Sequence, residues 1–258
     1  MFEEYPGYRT WGKPPFTIVI LHGGPGAAGD VASLASELGF HAGVIEPFQT
    51  ATTIQAQEDE LKVVIEQVAH NPVVLIGHSW GAWLGFIFAL HHPELVKKLI
   101  LVGTPSFEEK YIFLMKNIRN ERITKLEKDQ LDIIIGSLKT NQTESFQKMG
   151  KLMSKIDSYD LLPIQDEVDF RPDIYSSIWA EAEKMRKETL LLRLAAGIKC
   201  PVIAIHGDFD PHPWQGIKIP LEERLLEFKF ILLDKCGHYP WKEKYAKGLF
   251  FEKLKEEL

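Results

Sequence analysis

Apolar and polar positions alternate with two different periods along the first hundred residues. Four short apolar runs have the length and composition of buried strands: residues 16–21, 42–45, 73–76 and 98–102. Between them, apolar residues recur every three or four positions, which is the helical period. Trp80 to Leu90 is apolar nearly all round and is predicted to be a buried helix. Strands that alternate with helices predict right-handed crossovers and a mostly parallel central sheet flanked by helices.

Two of the predicted helices carry residues that commonly cap helix ends. Asp30 is placed to cap a helix whose apolar face begins at Val31, and Gly39 is placed to end it. Thr52 with Gln55 resembles a capping box for the next helix. These residues predict where the first two helices of the α/β alternation begin.

The alternation stops after residue 105 and resumes near residue 197. Residues 106–196 carry charged helical stretches broken at Pro163 and Pro172, without a convincing strand pattern. Then come a strand, a helix, a strand and a closing helix, around residues 201–206, 221–226, 228–233 and 250–254. The sequence therefore predicts an α/β domain formed by residues 1–105 and 197–258, with residues 106–196 inserted as a helical cap.

Composition and charge limit the kinds of partner. The 258 residues are 45% hydrophobic and 26% charged, with a formal net charge of −6. An acidic chain lacks the basic face that nucleic acids and anionic membranes bind, so we expect neither as a partner. No apolar run approaches the roughly 18 residues of a membrane span. The acidic start, Met1 to Glu4, is unlike a signal peptide, so we expect a cytoplasmic location. Cys200 opens one predicted strand and Cys236 follows the end of another, too far apart for a disulfide, so free thiols are expected.

A first glycine motif fits a dinucleotide fingerprint. "GPGAAG", Gly24 to Gly29, has the spacing G-x-G-x-x-G, and Glu46 stands where a ribose-binding acid would. Against this hypothesis, two further residues separate the motif from the strand. Pro25 removes a backbone N–H, and Asp30 brings negative charge to the helix start that would receive the pyrophosphate.

A second glycine motif favours a different chemistry. "GHSWG", Gly77 to Gly81, has the pattern G-x-S-x-G between a predicted strand and a predicted helix, which is the setting of a nucleophile elbow. In such an elbow Ser79 occupies a strained backbone conformation, and the glycines let strand and helix approach it closely.

Residues able to complete a catalytic site follow later strands. "HGDFD" supplies Asp208 and Asp210 after one strand, and His238 follows the next. The carboxyl ends of parallel strands meet at one edge of a sheet, so these side chains are expected near Ser79, as is the loop "HGGPG" after the first strand. This convergence decides against a dinucleotide site. Pro211 holds the backbone of Asp210 extended, which favours Asp210 over Asp208 as the acid.

At these residues the sequence resembles the α/β-hydrolase superfamily. The motifs "HGGPG" (residues 22–26), "GHSWG" (77–81), "HGDFD" (206–210) and "GH" (237–238) match its patterns in order and spacing. The resemblance covers about residues 16–106 and 196–258, and it implies the α/β-hydrolase fold. "HGGPG" looks most like the proline iminopeptidase branch and related small-molecule esterases.

The resemblance implies acyl transfer through a serine ester. Ser79 would be the nucleophile, His238 the general base and acid, and Asp210 the group that orients His238. The backbone N–H groups of Gly24 and Trp80 would form the oxyanion hole. No metal or organic cofactor is expected.

One departure concerns the branch. Proline iminopeptidases usually carry Asp-x-Arg-Gly after the next strand, where this chain has Glu46-Pro47-Phe48-Gln49. An aminopeptidase must also bind a substrate ammonium, and five cap carboxylates are candidates for that: Asp166, Glu167, Asp169, Glu181 and Glu183.

Other aromatic and histidine side chains have two interpretations. His212 and Trp214 lie in a loop on the side of the predicted site, and Trp179 and Tyr175 in the cap could line an acyl pocket. For each of them, packing is the commoner role of such a side chain. His22 is interpreted as orienting the oxyanion loop, and His78 as a packed or solvated group.

The function expected from the sequence is therefore a serine hydrolase acting on a small carboxylic ester. The first alternative is an aminopeptidase. The others are a non-catalytic ligand-binding protein on the same fold and a dinucleotide-dependent oxidoreductase. A small-molecule substrate is the expected partner, and the sequence gives no signal of oligomeric state.

Overall fold

A computed structural model describes residues 2–5, 7–163 and 166–258. Eight strands form one sheet in the order β1-β2-β5-β3-β6-β7-β9-β10, and the two-residue strands β4 and β8 pair separately. The strands are β1 (Phe2–Tyr5), β2 (Tyr8–Trp11), β3 (Phe16–Leu21), β4 (Ala27–Ala28), β5 (Gly43–Pro47), β6 (Val73–His78), β7 (Val96–Val102), β8 (Asp169–Phe170), β9 (Val202–Gly207) and β10 (Phe228–Leu233).

Ten α-helices accompany these strands in the described part of the chain. They are α1 (Ala32–Leu38), α2 (Ile54–Val68), α3 (Trp80–His91), α4 (Lys110–Arg122), α5 (Lys125–Ser137), α6 (Gln142–Ile156), α7 (Pro172–Lys187), α8 (Leu190–Leu194), α9 (Gln215–Glu222) and α10 (Lys247–Glu256). Helices α4 to α8 lie in the segment for which the sequence predicts a cap.

The six strands from β5 to β10 in the sheet order run parallel, which confirms the predicted α/β fold class. An antiparallel hairpin, β1–β2, extends the sheet beside β5 and was not predicted. The buried carboxylate of Glu46 holds this hairpin: it accepts two bonds from Arg9, at 2.8 and 3.1 Å, and one from Trp11 Nε1 at 3.0 Å. Glu46 is therefore not available to bind a ribose, which argues against the dinucleotide hypothesis.

Two of the predicted helix caps are wrong. Helix α1 is preceded by Val31, and no side chain caps it, because the Asp30 carboxylate instead accepts the backbone N–H of Gly23 at 3.2 Å. Helix α2 is capped by Thr53, one residue after the predicted position, and its hydroxyl accepts the N–H of Ala56 at 3.2 Å. A local sequence pattern could not distinguish an N-cap from a long-range contact at Asp30.

Two other elements differ from the prediction. The helix expected at 221–226 lies at α9, where Pro220 occupies the last turn and Leu221 packs into the core. The cap contains the short strand β8, which pairs with β4 in the loop after β3. This pairing joins the cap to the loop that carries "HGGPG".

The core fills both faces of the sheet. One face packs against α2, α3 and α9 together with α7 and α8 of the cap segment, and the other packs against α1 and α10. Helices α5 and α6 form a separate small cluster around Ile134, Leu152 and Ile156. The cap segment is therefore anchored to the sheet domain through α7 and α8.

Cys200 and Cys236 are buried free thiols, as predicted. Burial raises the pKa of the Cys200 thiol to about 11, so this group stays protonated near neutral pH. Within the described ranges, no helix combines the length and apolar character needed to cross a membrane.

Candidate active site

Ser79 stands at a sharp bend between β6 and α3. Its backbone has φ 52° and ψ −117°, a left-handed conformation that a residue with a side chain rarely adopts. A Cβ atom at Gly77 would lie 2.2 Å from the carbonyl oxygen of Gly81, and one at Gly81 would lie 2.5 Å from that of Leu21. Only glycine fits both positions, and Ser79 is held on the predicted elbow as a result.

The acid and the histidine meet at the ends of β9 and β10. His238 Nδ1 lies 2.7 Å from Asp210 Oδ2, and both side chains are buried. The other carboxylate oxygen of Asp210 accepts the N–H of His212 at 2.9 Å, which fixes its orientation. Asp208 is exposed and accepts the N–H of Cys236 at 3.1 Å. Of the two acids, Asp210 is the one that contacts His238.

Electrostatics favour an ionised Asp210 beside a basic His238. Burial raises the pKa of Asp210, but this effect is outweighed by the charges of His238 and His206 and by the hydrogen bond from His238. The net pKa of Asp210 lies well below its ordinary range. Burial lowers the pKa of His238, whereas the charge and hydrogen bond of Asp210 raise it, and the net pKa lies above its ordinary value. This arrangement supports an imidazolium when His238 accepts a proton.

His78 links Ser79 to His238, because it directly precedes Ser79 and contacts the backbone of His238. No hydrogen bond joins Ser79 Oγ to His238 among the described residues. His78, directly before Ser79, has its ring centroid 4.9 Å from that of His238, and its Nε2 lies 3.0 Å from the carbonyl oxygen of His238. In structures without substrate, catalytic hydrogen bonds are often long and shorten only when substrate binds.

The loop after β3 lies against the elbow. His22 Nδ1 contacts the carbonyl oxygen of Gly23 at 2.8 Å, and His22 Nε2 accepts the N–H of Gln49 at 3.2 Å, which together fix a neutral tautomer and hold the loop. A Cβ atom at Gly23 would lie 3.1 Å from Ser79 Cβ. Trp80 is the first residue of α3, and the first N–H groups of a helix have no acceptor within it. Gly23, directly before Gly24, therefore lies against Ser79 on one side, and Trp80 follows Ser79 on the other.

The cap reaches the site through Asp157 at the end of α6. Its backbone oxygen accepts the N–H of His238 at 2.9 Å. Its carboxylate is bound by two nitrogens of Arg119 from α4, at 2.8 and 2.6 Å. Arg122, one turn further along α4, places its guanidinium 3.5 Å from the ring centroid of Phe209. Two cap arginines thus lie close to the loop of Asp210.

Glu243 makes a second connection between the cap and the His238 loop. Its buried carboxylate accepts three backbone N–H groups at 2.8 Å, from Gly237 beside His238 and from Tyr159 and Asp160 of the cap. A carboxylate satisfied by three backbone donors is a rigid anchor. The backbone around His238 is therefore held by the cap on one side and by Glu243 on the other.

The four candidate substrate-contact residues differ in what they contact. The ring of His212 lies 5.3 Å from that of His238, and its buried Nδ1 has no protein partner among the described residues. Trp179 contacts the ring of Trp80 at 6.4 Å, and Tyr175 contacts Trp179 at 6.3 Å and is more exposed. Trp214 packs against Phe230 of β10, with ring centroids 6.0 Å apart. Their role in substrate binding stays a prediction.

The five cap carboxylates proposed for an ammonium do not form a free acidic site. Asp166 is bound by Ser33 and by Lys242 Nζ at 2.8 Å, and Glu181 accepts the N–H of Ile54 at 3.2 Å. Glu183 pairs with Lys187 at 3.9 Å on an exposed helix face. The other two, Glu167 and Asp169, are exposed.

One group of described residues has a donor set that could hold a metal ion. The ligand atoms of Asp210, His212 and His238 lie within 4.8 Å of one another. Asp210 and His238 are already hydrogen-bonded to each other, so this set is accounted for as an acid–histidine pair with a neighbouring imidazole.

Sequence reasoning missed the roles of several residues at the site. Arg119 and Asp157 were not singled out from the sequence, because their pairing depends on how the cap folds. Asp30 was assigned to a helix cap, and His78 to packing or solvent. Only His78 carried a signal that could have identified it, because it stands inside the elbow motif.

Comparisons with known proteins agree with the fold. A family model described as the alpha/beta hydrolase fold matches residues 17–122, which include Ser79 and end before Asp210 and His238. A proline iminopeptidase from Lactobacillus helveticus is 30% identical over 125 residues, 41% of this chain and 41% of that protein. A strigolactone esterase from Arabidopsis thaliana is 34% identical over 71 residues, 26% of this chain and 27% of that protein.

A solved structure covers nearly the whole chain. An alpha/beta fold family hydrolase from Bacillus anthracis has a TM-score of 0.74 at 14% identity, covering 97% of this chain and 94% of that one. The chain spans about two fifths of the length of the curated iminopeptidase that it matches. The strand order, the elbow and the family match over residues 17–122 together show that the chain has the α/β-hydrolase fold.

Proposed function

We propose that the protein is a serine hydrolase that cleaves small carboxylic esters through an acyl-enzyme intermediate. The observation that carries this proposal is Ser79 in its strained elbow, at the sheet edge where Asp210 and His238 form a buried pair at 2.7 Å. A buried, oriented acid–histidine pair beside a serine on a sharp strand-to-helix bend is the arrangement that activates a hydroxyl nucleophile.

Each group has a defined step in this reaction. Ser79 Oγ attacks the ester carbonyl carbon as its proton passes to His238 Nε2, and the N–H groups of Gly24 and Trp80 stabilise the oxyanion. The intermediate collapses, the bond to the leaving oxygen breaks, and His238 returns the proton to that oxygen. Water then attacks the acyl-serine, with His238 as base, to release the acid and regenerate Ser79. Asp210 orients His238 and stabilises its imidazolium form.

A fluorophosphonate probe tests the nucleophile. It should label Ser79, and Ser79→Ala should abolish labelling and lower turnover of a short-chain acyl ester by ~10⁶-fold. Ser106, a buried serine after the next strand, gives the matched control, and Ser106→Ala should still be labelled. A wild-type protein that is not labelled and shows no turnover would favour the ligand-binding alternative. Labelling that persists in Ser79→Ala would assign the nucleophile elsewhere.

The aminopeptidase alternative is favoured by one observation, the similarity to a proline iminopeptidase over the first part of the chain. The charges of the cap favour an ester instead. The candidate carboxylates are paired or exposed, whereas the Arg122 guanidinium, 3.5 Å from the ring centroid of Phe209, lies close to the loop of Asp210. Arg119 beside it is paired with Asp157. A cationic neighbourhood disfavours a substrate ammonium.

A paired substrate comparison separates the two reactions. We expect a short-chain acyl ester to be hydrolysed with a higher kcat/KM than a prolyl amide that carries a free amine. If no ammonium binds near Arg122, the kcat/KM for the amide should also not increase in the variant Arg122→Met. An amide turned over as efficiently as the ester would overturn the preference for an ester.

A further inference from the structure

A second buried carboxylate–imidazole pair lies behind Ser79. Asp30 Oδ2 is 3.6 Å from His78 Nδ1, and both residues are at most 8% exposed. His78 directly precedes Ser79, and Asp30 follows the loop at residues 22–26. Neither takes a chemical step in the proposed reaction, and burying such a pair without a role is costly.

The pair touches the two backbone segments that the reaction needs to hold still. Asp30 Oδ1 accepts the N–H of Gly23 at 3.2 Å, directly before Gly24. His78 Nε2 lies 3.0 Å from the carbonyl oxygen of His238. A carbonyl oxygen only accepts, so His78 Nε2 carries the hydrogen and donates it.

Packing leaves little freedom for either side chain. The His78 ring meets Trp241 edge-on, with centroids 4.6 Å apart, and lies 5.0 Å from Tyr239. A Cβ atom at Gly23 would lie 3.0 Å from both Asp30 Oδ2 and His78 Nδ1, so the loop backbone closes over the pair. At 3.6 Å the two side chains are too far apart for an ordinary hydrogen bond. Burial holds the pKa of His78 below its ordinary value, although the nearby Asp30 carboxylate acts to raise it.

We propose that Asp30 and His78 are positioning residues that couple the oxyanion loop to the backbone of His238 around Ser79. The inference rests on the proposed serine hydrolase function. Asp30 fixes Gly23, and through it the direction of the Gly24 N–H. His78 is aligned by Asp30 and fixes His238 from its backbone side, while Asp210 fixes its ring. Loss of the pair therefore misplaces the oxyanion donor and the base together, without altering the substrate pocket.

The main test is Asp30→Asn, which keeps the shape of the side chain and removes its charge. We expect kcat for a short-chain acyl ester to fall by about 10- to 100-fold, because small displacements of reacting groups carry losses of this size. KM should stay within about twofold, since ground-state binding is unchanged. The rate of fluorophosphonate labelling at Ser79 should fall by a factor similar to that of kcat.

Two further variants complete the test. Asp208→Asn is the matched control, because Asp208 accepts a backbone N–H at the same sheet edge and does not contact Gly23, His78 or His238. If Asp30→Asn does not fold, the double variant Asp30→Asn with His78→Phe removes both partners and keeps the ring packing, which leaves no unpaired buried charge. It should show the same loss of kcat and of labelling rate.

The outcomes separate this inference from the proposed function. Labelling of the wild-type protein at Ser79, with unchanged kcat and labelling rate in the folded variants, overturns the positioning role alone. The positioning role is also overturned if Asp208→Asn loses as much kcat as Asp30→Asn, or if a rise of KM alone accounts for the fall in kcat/KM of Asp30→Asn. A wild-type protein that is neither labelled nor active overturns the proposed function and this inference with it.

Discussion

The sheet edge and the cap contribute to the candidate site in different ways. The sheet edge supplies the proposed reacting groups as side chains: Ser79 after β6, Asp210 after β9 and His238 after β10. The cap supplies a backbone oxygen, from Asp157, and the charge of Arg119 that holds Asp157 in place. The sheet edge therefore carries the side chains proposed to react, and the cap holds the backbone of His238 and places charged groups nearby.

This difference between the two regions predicts which substitutions should have large effects on turnover and which should have small ones. Strand ends in a parallel sheet have fixed spacing, so side chains placed on them keep their mutual geometry with little help. Cap helices are fixed by their packing on the sheet, and changes there act through the position of His238 or through charge. Substitutions at the sheet edge should therefore reduce kcat most, and substitutions in the cap should reduce stability and shift the pH dependence.

The largest effect that tests this comparison is expected at Asp210. Asp210→Asn keeps the volume of the side chain and lets His238 adopt the wrong tautomer, so turnover should fall by up to ~10⁴-fold, as for the same change in a serine protease. Asp208→Asn, two residues earlier, should change turnover little because Asp208 contacts only the loop backbone. Steady-state kinetics with a short-chain acyl ester measure both. The acid assignment is wrong if Asp208→Asn is the crippling change.

The sheet edge could be predicted from the sequence because its signals are local. The period of apolar residues placed β3 and β10 correctly, and the elbow motif identified Ser79. The proline after Asp210 helped to choose between two neighbouring acids, and the structure gives that acid the contact with His238. Each of these signals lies within a few residues of the position it concerns.

The cap contacts and the hairpin β1–β2 could not be predicted because they depend on residues far apart in the chain. Arg119 and Asp157 are 38 positions apart and on different helices. Glu46 holds the hairpin through Arg9, 37 positions earlier. The same limit explains Asp30, whose local setting resembles a helix cap and whose actual partners are a loop amide and an imidazole.

A smaller effect is expected in the cap, at Arg119. Arg119→Met leaves the Asp157 carboxylate buried and unpaired; breaking a fully buried pair costs about 3–5 kcal/mol, and because the Arg119 side chain is 27% exposed we expect about 1–3 kcal/mol. The backbone oxygen that holds His238 would be loosened, and kcat/KM should fall by about tenfold. Thermal unfolding and steady-state kinetics measure the two effects.

The control for Arg119 is an exposed ion pair of the cap. Arg171 and Asp173 pair at 3.1 Å with side chains about half exposed, so Arg171→Met should cost less than about 1 kcal/mol and leave kcat unchanged. If Arg119→Met lowered turnover as strongly as Asp210→Asn while the protein stayed folded, the cap would take part in the chemistry and the comparison would fail.

The smallest effect, and the one that most directly separates the two regions, is the pH at which activity appears. His238 must be neutral to accept the proton of Ser79, so kcat/KM should rise as pH rises through the pKa of His238, which lies above its ordinary value. Burial lowers this pKa, Asp210 raises it and Arg119 lowers it. Asp210→Asn should therefore move the acid limb to lower pH, with a much lower plateau, and Arg119→Met should move it to higher pH. Asp208→Asn should leave the midpoint where it is in the wild-type protein. A pH–rate profile for the three variants measures the shifts. An unmoved midpoint in Arg119→Met would show that its charge does not reach His238, and a shift of the same sign as in Asp210→Asn would contradict the expected direction.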